Sequence, residues 1–243
     1  MRRALQGWHS PSLNKHMEIV TYGHYGHALL MLPTAAADYL EYERFQLIDA
    51  ISEPINSGKF KAFSINSINS ESWLNRDMYP PHKAIRHGQF NDYVMNEVVP
   101  FIKKSTSENT PIYLTGASLG ALHAANLFFR RPDVFAGVIA MSGNYDLTTY
   151  TNGYFDDQVY FNSPEHYLKN LDDDHFIPIL RKKKHIHLLT GSGNHETPDA
   201  TRRFSALLAS KGIPHELDVW GHDMPHDWQT WRAMLPYYLE SRF

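Results

Sequence analysis

Residues 116–120 have the sequence GASLG, which matches the pattern G-x-S-x-G around Ser118. In this pattern the serine lies on a sharp turn between a strand and a helix, which exposes its hydroxyl for nucleophilic attack. The turn strains the backbone, so its neighbours must be small, as Gly116 and Gly120 are. An apolar run at 111–115 and a helical pattern at 119–129 supply the expected context. Ser118 is the predicted nucleophile; the alternative is a glycine-rich turn with a capping serine.

A serine nucleophile needs a general base, and histidine is the usual choice. The chain contains 15 histidines, so position has to select among them. His222 and His226 both follow the last predicted strand, and His226 directly precedes the closing helix. The chain order serine, acid, histidine favours His226, with His222 as its competitor. A metal site on this pair is disfavoured, because Pro225 interrupts any helix that would place both side chains on one face.

The base in turn needs a carboxylate that fixes its tautomer and stabilises the imidazolium ion. The loop after the strand 186–190 offers Glu196 in its middle and Asp199 at the start of the next helix. A carboxylate at a helix N-terminus has an ordinary role beside the helix dipole, so Glu196 is favoured over Asp199. Asp146, which follows the strand containing Met141, is a third candidate.

Strands and helices alternate along the chain. We predict a first strand that closes at 20–22, and further strands at 28–32, 59–65, 111–115, 134–141, 186–190 and 216–220. Helices are predicted at 39–55, 88–102, 119–130, 198–210 and 228–239. This alternation predicts an α/β fold with a mostly parallel central sheet and helices on both faces. The β-rich beginning of the chain is compatible with additional antiparallel strands at one edge.

One domain, 1–243, is expected, with a loop-rich insertion at about 144–175. The insertion is rich in Tyr, Asn and Asp and interrupts the alternation, so we expect loops and short helices there. Insertions at strand ends often shape a substrate pocket. Its Tyr150, Tyr154 and Tyr160 are candidate pocket residues, with packing at the surface as the alternative.

Composition excludes several classes of function. The net charge of −3 argues against nucleic acid as a partner, because phosphate binding needs a surplus of Lys and Arg. The chain has no cysteine, which rules out disulfides, thiol catalysis and Cys-ligated zinc. No apolar segment follows Arg2 and Arg3, and no run approaches the roughly 20 apolar residues that span a bilayer. The expected location is therefore the cytoplasm, without a membrane partner.

The chain resembles the putative-esterase family of α/β-hydrolases, which includes esterase D-like enzymes, feruloyl esterases and mycolyltransferases. Four segments carry the resemblance: 116–120, the turn at 132–135, the loop 191–196, and the block 221–228 with Trp231. The resemblance extends from about residue 16 to residue 240, and the C-terminal block is its most specific part. It implies the α/β-hydrolase fold.

The resemblance also implies roles for individual residues. Ser118 would be the nucleophile, Glu196 the acid and His226 the base. The oxyanion hole would use the backbone N–H of Leu119 and a second N–H from the loop after an early strand, at Thr34 or Ala35. Many relatives have a glycine-rich segment where this chain has Pro-Thr-Ala-Ala-Ala at 33–37, so the choice between Thr34 and Ala35 stays open.

The expected function is hydrolysis of a small-molecule carboxylic ester through an acyl-enzyme on Ser118, with no cofactor and no metal. The first alternative is an acyltransferase that uses the same three residues and passes the acyl group to another alcohol. The second is a catalytically silent binding protein on the same fold. A homo-oligomer is compatible with the sequence, which does not specify the oligomeric state.

Overall fold

The computed structural model describes all residues from Met1 to Phe243. Its centre is an eight-stranded sheet with the strand order β1-β2-β4-β3-β5-β6-β7-β8. In chain order the strands are β1 (Arg3–Ser10), β2 (Lys15–Tyr22), β3 (His27–Leu32), β4 (Phe60–Ile65), β5 (Ile112–Ala117), β6 (Gly137–Met141), β7 (His185–Thr190) and β8 (Glu216–Val219). β2 pairs antiparallel with β1 and β4, and every other pairing is parallel. The predicted mostly parallel sheet, with antiparallel strands at one edge, is confirmed.

Helices fill most of the connections between strands. They are α1 (Glu41–Arg44), α2 (Leu47–Ala50), α3 (Ser52–Asn56), α4 (Pro80–Tyr93), α5 (Val99–Ser105), α6 (Leu119–Arg130), α7 (Asp157–Tyr160), α8 (Pro164–Asn170), α9 (Phe176–Arg181), α10 (Pro198–Ser210) and α11 (Trp228–Ser241). A π-helical turn (Val94–Val98) joins α4 to α5, and 3-10 turns form at Asn69–Glu71 and Leu147–Tyr150.

Both faces of the sheet are covered, as predicted. Successive side chains of a strand point to opposite faces, and β3 shows this directly. Leu30 belongs to the core that includes buried side chains of α4, α6 and α10. Leu29 and Met31 belong to the opposite core, with side chains of α2, α3 and α11. The central strands are therefore buried on both sides, which explains their almost continuous apolar sequences.

The predicted helix at 39–55 is broken into the three short helices α1, α2 and α3. Gln46 has a φ of 62°, in the left-handed region, which stops α1 before α2 begins. The apolar residues Leu47, Ile51 and Ile55 are nevertheless all buried in one core. Their spacing predicted the buried face correctly, while the breaks depend on the backbone.

The largest remaining differences from the predictions are the start of one helix and one strand at the edge of the sheet. The helix predicted at 88–102 begins at Pro80, where proline is favourable in a first turn, and continues through the π-helical turn to Ser105. The strand β1 was not predicted at all. It is the outermost strand, and its residues are mostly exposed, so no alternation of apolar and polar positions marks it.

The carboxyl ends of the parallel strands lie together at one end of the sheet. They lead into the segments that contain the predicted site residues. β3 leads into residues 33–37, β5 ends at Ser118, and β7 leads into residues 191–197. β6 leads into the segment 144–175, which contains the expected short helices α7 and α8. Such an end is where ligands bind in open α/β sheets. At the amino ends of the strands, His24 and His27 line a cavity of about 490 Å³.

No helix of the protein combines the length and the apolar character that crossing a bilayer requires.

Candidate active site

Ser118 lies on a strained turn between β5 and α6. Its φ of 56° and ψ of −123° place a non-glycine residue in an unfavourable region of the backbone map. A Cβ on Gly116 would lie 2.4 Å from the backbone of Gly120, and a Cβ on Gly120 would lie 2.3 Å from the carbonyl oxygen of Leu32. Both glycines of the pattern are therefore required sterically. Gly120 also lets the loop that follows β3 approach the first turn of α6.

The imidazole of His226 lies beside the Ser118 hydroxyl. Its Nε2 is 3.0 Å from Ser118 Oγ, and its Nδ1 is 3.4 Å from Glu196 Oε2. The backbone N–H of His226 donates to the carbonyl of Asn194, 2.9 Å away. The rings of Trp231 and His226 are nearly perpendicular, with 5.3 Å between their centroids. The three side chains thus meet although they come from three separate segments.

Glu196 is held by several donors at once. Its carboxylate accepts hydrogen bonds from Ser142 Oγ at 2.5 Å, Thr190 Oγ1 at 3.1 Å and the Gly191 N–H at 3.3 Å. Only 1% of its side chain is exposed, and burial alone raises the pKa of a carboxyl group. The hydrogen bonds from His226 and Ser142 reverse this effect and leave the pKa of Glu196 below its usual value. Glu196 is therefore an anion at neutral pH.

The loops that carry Glu196 and His226 are packed directly on each other. A Cβ on Gly191 would lie 2.0 Å from the carbonyl oxygen of Met224, and a Cβ on Gly193 would lie 2.7 Å from that of His222. The N–H of Gly193 donates to the Met224 carbonyl at 3.0 Å. Glycine at 191 and 193 is what permits this close approach.

The alternative acids and the alternative base lie apart from this cluster. The side chain of Asp199 is 83% exposed and pairs with Arg202 at the start of α10. Asp146 caps the turn Leu147–Tyr150 by accepting a hydrogen bond from the N–H of Thr148. His222 is exposed, and its Nδ1 lies 3.1 Å from the carbonyl of Ser192.

Neither the backbone N–H of Leu119 nor that of Ala35 has a hydrogen-bond acceptor within the protein. The N–H of Thr34, by contrast, donates to Glu41 Oε2 at 2.8 Å, and its hydroxyl donates to Glu41 Oε1 at 2.6 Å. Of the two expected second donors, Ala35 has the uncommitted N–H, whereas that of Thr34 is already used. Leu119 is the first residue of α6, so its N–H lies at the positive end of the helix dipole.

Sequence reasoning missed the residues that hold Glu196. Ser142 follows β6, has a φ of 53°, and accepts a hydrogen bond from Trp231 Nε1 at 3.0 Å while donating to Glu196. A polar residue directly after a buried strand was the one available signal for Ser142. Trp231 itself is 4% exposed and belongs to one of the two main cores.

The structure contains no cluster of three or more His, Asp or Glu side chains that could hold a metal ion. The three tyrosines of the insertion pack against two different clusters of buried side chains. Tyr150 and Tyr154 pack against the apolar cluster that contains Leu119, the residue after Ser118. Tyr160 instead packs against the larger core.

Known proteins were compared with this chain by sequence and by structure. Residues 48–240 match the family described as Putative esterase. A ferulic acid esterase has 19% identity and a TM-score of 0.75, with 98% of this chain and 96% of that chain covered. An S-formylglutathione hydrolase from Staphylococcus aureus has 16% identity and a TM-score of 0.68, with 98% of both chains covered.

Another S-formylglutathione hydrolase, from Agrobacterium tumefaciens, has 11% identity and a TM-score of 0.73, with 98% of this chain and 93% of that chain covered. No curated protein matches this chain significantly in sequence. At such low identities the structural similarity establishes the fold, and the family match covers most of the chain. The chain therefore belongs to the putative esterase family, an esterase family with the α/β-hydrolase fold.

Proposed function

We propose that this protein is a carboxylic-ester hydrolase in which Ser118 is the nucleophile, His226 the general base and Glu196 the acid that orients it. One observation carries the proposal: His226 lies between Ser118 Oγ and the Glu196 carboxylate, at 3.0 Å and 3.4 Å. A proton on Nδ1 directed at the anionic carboxylate leaves Nε2 free to accept the serine proton. The family match supports an ester as the substrate.

The first half of the proposed reaction forms an acyl-enzyme. Ser118 Oγ attacks the ester carbonyl carbon while His226 Nε2 takes the hydroxyl proton. The carbonyl π bond breaks, and the resulting oxyanion accepts hydrogen bonds from the N–H groups of Leu119 and Ala35. The tetrahedral intermediate then collapses, and the imidazolium of His226 donates its proton to the departing alcohol.

The second half releases the acid. Water donates a proton to His226 as its oxygen attacks the acyl carbon, and the same two N–H groups stabilise the second oxyanion. Collapse of this intermediate returns the proton to Ser118 Oγ. No step requires a metal ion or a cofactor. Removing one donor from an oxyanion hole typically lowers kcat by about 10²–10³-fold.

The surroundings of Ser118 favour a small, readily admitted substrate. Ser118 is partly exposed, and 25% of the His226 side chain is exposed. The partly exposed rings of Tyr150 and Tyr154 pack against the buried cluster that contains Leu119. We propose a small-molecule ester whose apolar portion contacts these rings.

The test is a panel of p-nitrophenyl and aromatic acyl esters, assayed with wild type, Ser118→Ala and the matched surface variant Ser210→Ala. Ser210 lies at the exposed end of α10, so that variant should behave as wild type. Ser118→Ala should remain folded and lose at least about 10⁴-fold in kcat. A fluorophosphonate should label wild type at Ser118 alone.

Two outcomes would contradict the proposal: near-normal turnover by Ser118→Ala, or failure of the fluorophosphonate to label folded wild type. The second, together with no turnover of any ester, would instead support a silent binding protein. Adding an acceptor alcohol and measuring how the acyl group divides between water and that alcohol distinguishes hydrolysis from acyl transfer.

A further inference from the structure

A continuous network of buried polar side chains runs from Trp73, through His87 on α4, to the loop after β3. Trp73 Nε1 lies 2.9 Å from His87 Nδ1, and His87 Nε2 lies 3.2 Å from His123 Nδ1. His123 Nε2 lies 2.8 Å from Asn69 Oδ1, and Asn69 Nδ2 lies 2.7 Å from the carbonyl oxygen of Ala35. All four side chains are at most 2% exposed.

Each side chain of this network donates a hydrogen bond to the next, from Trp73 to Asn69. The indole of Trp73 can only donate, so His87 Nδ1 accepts and its proton is on Nε2. His123 Nδ1 then accepts from His87, which places the proton of His123 on Nε2, directed at Asn69 Oδ1. Burial lowers the pKa of His87 well below its usual value and that of His123 to about 4, so both imidazoles are neutral.

Every side-chain N and O atom of this network has a hydrogen-bond partner, which is not true of every buried polar group in the protein. His185 Nδ1 and His187 Nε2, at the opposite edge of the sheet, have no hydrogen-bond partner, and neither has the Oδ1 of Asn91. A fully connected network in a low-dielectric interior is rigid, because breaking any link leaves a buried group unpaired.

The network ends on the peptide groups that orient the N–H of Ala35. That N–H belongs to the same peptide as the carbonyl of Thr34, from which Asn69 Nδ2 is 3.5 Å away. Asn69 therefore holds the carbonyl oxygens of Thr34 and Ala35 from one side. Glu41 holds the N–H and hydroxyl of Thr34 from the other. The Ala35 N–H, which has no acceptor of its own, is left with little freedom to rotate.

We propose that Asn69, His123 and His87 are positioning residues for the esterase reaction: they hold the Ala35 N–H where the oxyanion forms. This inference rests on the proposed function. None of the three touches the reacting atoms, so their removal should weaken stabilisation of the transition state without weakening substrate binding.

The central test is Asn69→Leu, which has a similar volume and lacks both the donor to Ala35 and the acceptor for His123. We expect kcat to fall about 30–100-fold, which is somewhat less than the loss caused by removing a complete oxyanion donor. KM should stay within about threefold. The rate of labelling by a fluorophosphonate should fall in parallel, because its phosphoryl oxygen uses the same donors. Asn69→Asp, which keeps the shape and only the acceptor, should lose kcat as well.

A second pair of variants tests the histidine. His123→Leu should lose about tenfold in kcat, whereas His123→Gln should recover to within about threefold of wild type, because its side-chain amide can replace the Nε2–H donor. The matched control is Asn91→Leu. Asn91 is also a buried asparagine, bonded to Asn162 at 2.7 Å, and it makes no hydrogen bond to His123, Asn69 or Ala35. Asn91→Leu should lower Tm comparably and leave kcat unchanged.

A kcat of Asn69→Leu within about threefold of wild type, or an equal loss in Asn91→Leu, would overturn the inference. A readout independent of activity is the ¹⁵N spectrum of histidine-labelled wild type: both His87 and His123 should carry the proton on Nε2, and a proton on Nδ1 of either would overturn the proposed direction. If wild type turns over esters and Ser118→Ala does not, an unaltered Asn69→Leu contradicts this inference alone. Inactive, unlabelled wild type would contradict the proposed function instead.

Discussion

Two buried carboxylates, those of Glu41 and Glu196, differ in how they are held. Glu41, which contacts the loop after β3, accepts hydrogen bonds from the N–H and hydroxyl of Thr34. Glu196, on the histidine side, accepts from Ser142, Thr190, Gly191 and His226. Burial dominates at Glu41 and raises its pKa, whereas the additional donors lower the pKa of Glu196. Burial alone therefore does not determine the charge of a carboxyl group; the number of donors that converge on it does.

The largest contrast between the two sites should appear in activity. Glu196→Gln should lower kcat about 10³–10⁴-fold, because an amide cannot stabilise the imidazolium and favours the wrong histidine tautomer. Glu41→Gln should lower kcat less than about tenfold, because the amide oxygen of glutamine can still accept a hydrogen bond from Thr34. Steady-state kinetics on one ester measures both. Similar losses in the two variants would show that the sites do not differ in role.

A smaller effect is expected from Ser142, whose hydroxyl donates to Glu196 and accepts from Trp231. Ser142→Gly keeps the left-handed backbone and removes only the hydroxyl, whereas alanine would also add strain at a φ of 53°. Losing a hydrogen bond to a charged group should cost about 1.5–3 kcal/mol of stability. We expect about a tenfold fall in kcat and a lower Tm. Full activity in Ser142→Gly would mean that the remaining donors suffice.

The smallest effect is a difference in pH dependence, with opposite signs at the two sites. Glu41 has a raised pKa in the folded state, so its contribution to stability is greatest below the ordinary value of 4.5 and is lost as the pH rises above it. Glu196 has a lowered pKa, so its contribution is present above 4.5 and is lost as the pH falls below it.

Denaturant unfolding of wild type and each glutamine variant across this range checks both signs. Relative to Glu41→Gln, wild type should become less stable as the pH rises. Relative to Glu196→Gln it should become more stable. Slopes of the same sign would remove the electrostatic distinction between the two carboxylates.

The sequence predicted the fold class and most of the elements because the central strands are buried on both faces and the helices show clear apolar spacing. It also selected Ser118, His226 and Glu196, and the structure brings those three side chains together. The pattern around Ser118 and the order of the loops were enough, since parallel strands end at a common edge. Their catalytic roles remain a proposal.

The supporting residues could not be predicted in the same way. Asn69 meets His123, and Ser142 meets Glu196, across 54 residues of chain in each case. These contacts depend on the packing of loops rather than on any local pattern. The left-handed backbone at Gln46 and Ser142 could not be predicted either, because neither residue is glycine and nothing nearby marks a turn.

Gly191 and Gly193 lie directly against the carbonyls of Met224 and His222. The loop that carries Glu196 and the loop that carries His226 are therefore packed into one unit. Any redesign of substrate preference that lengthens one of these loops must refit the other. The segment 144–175, which follows a different strand, offers a place to change what the enzyme accepts while leaving that unit intact.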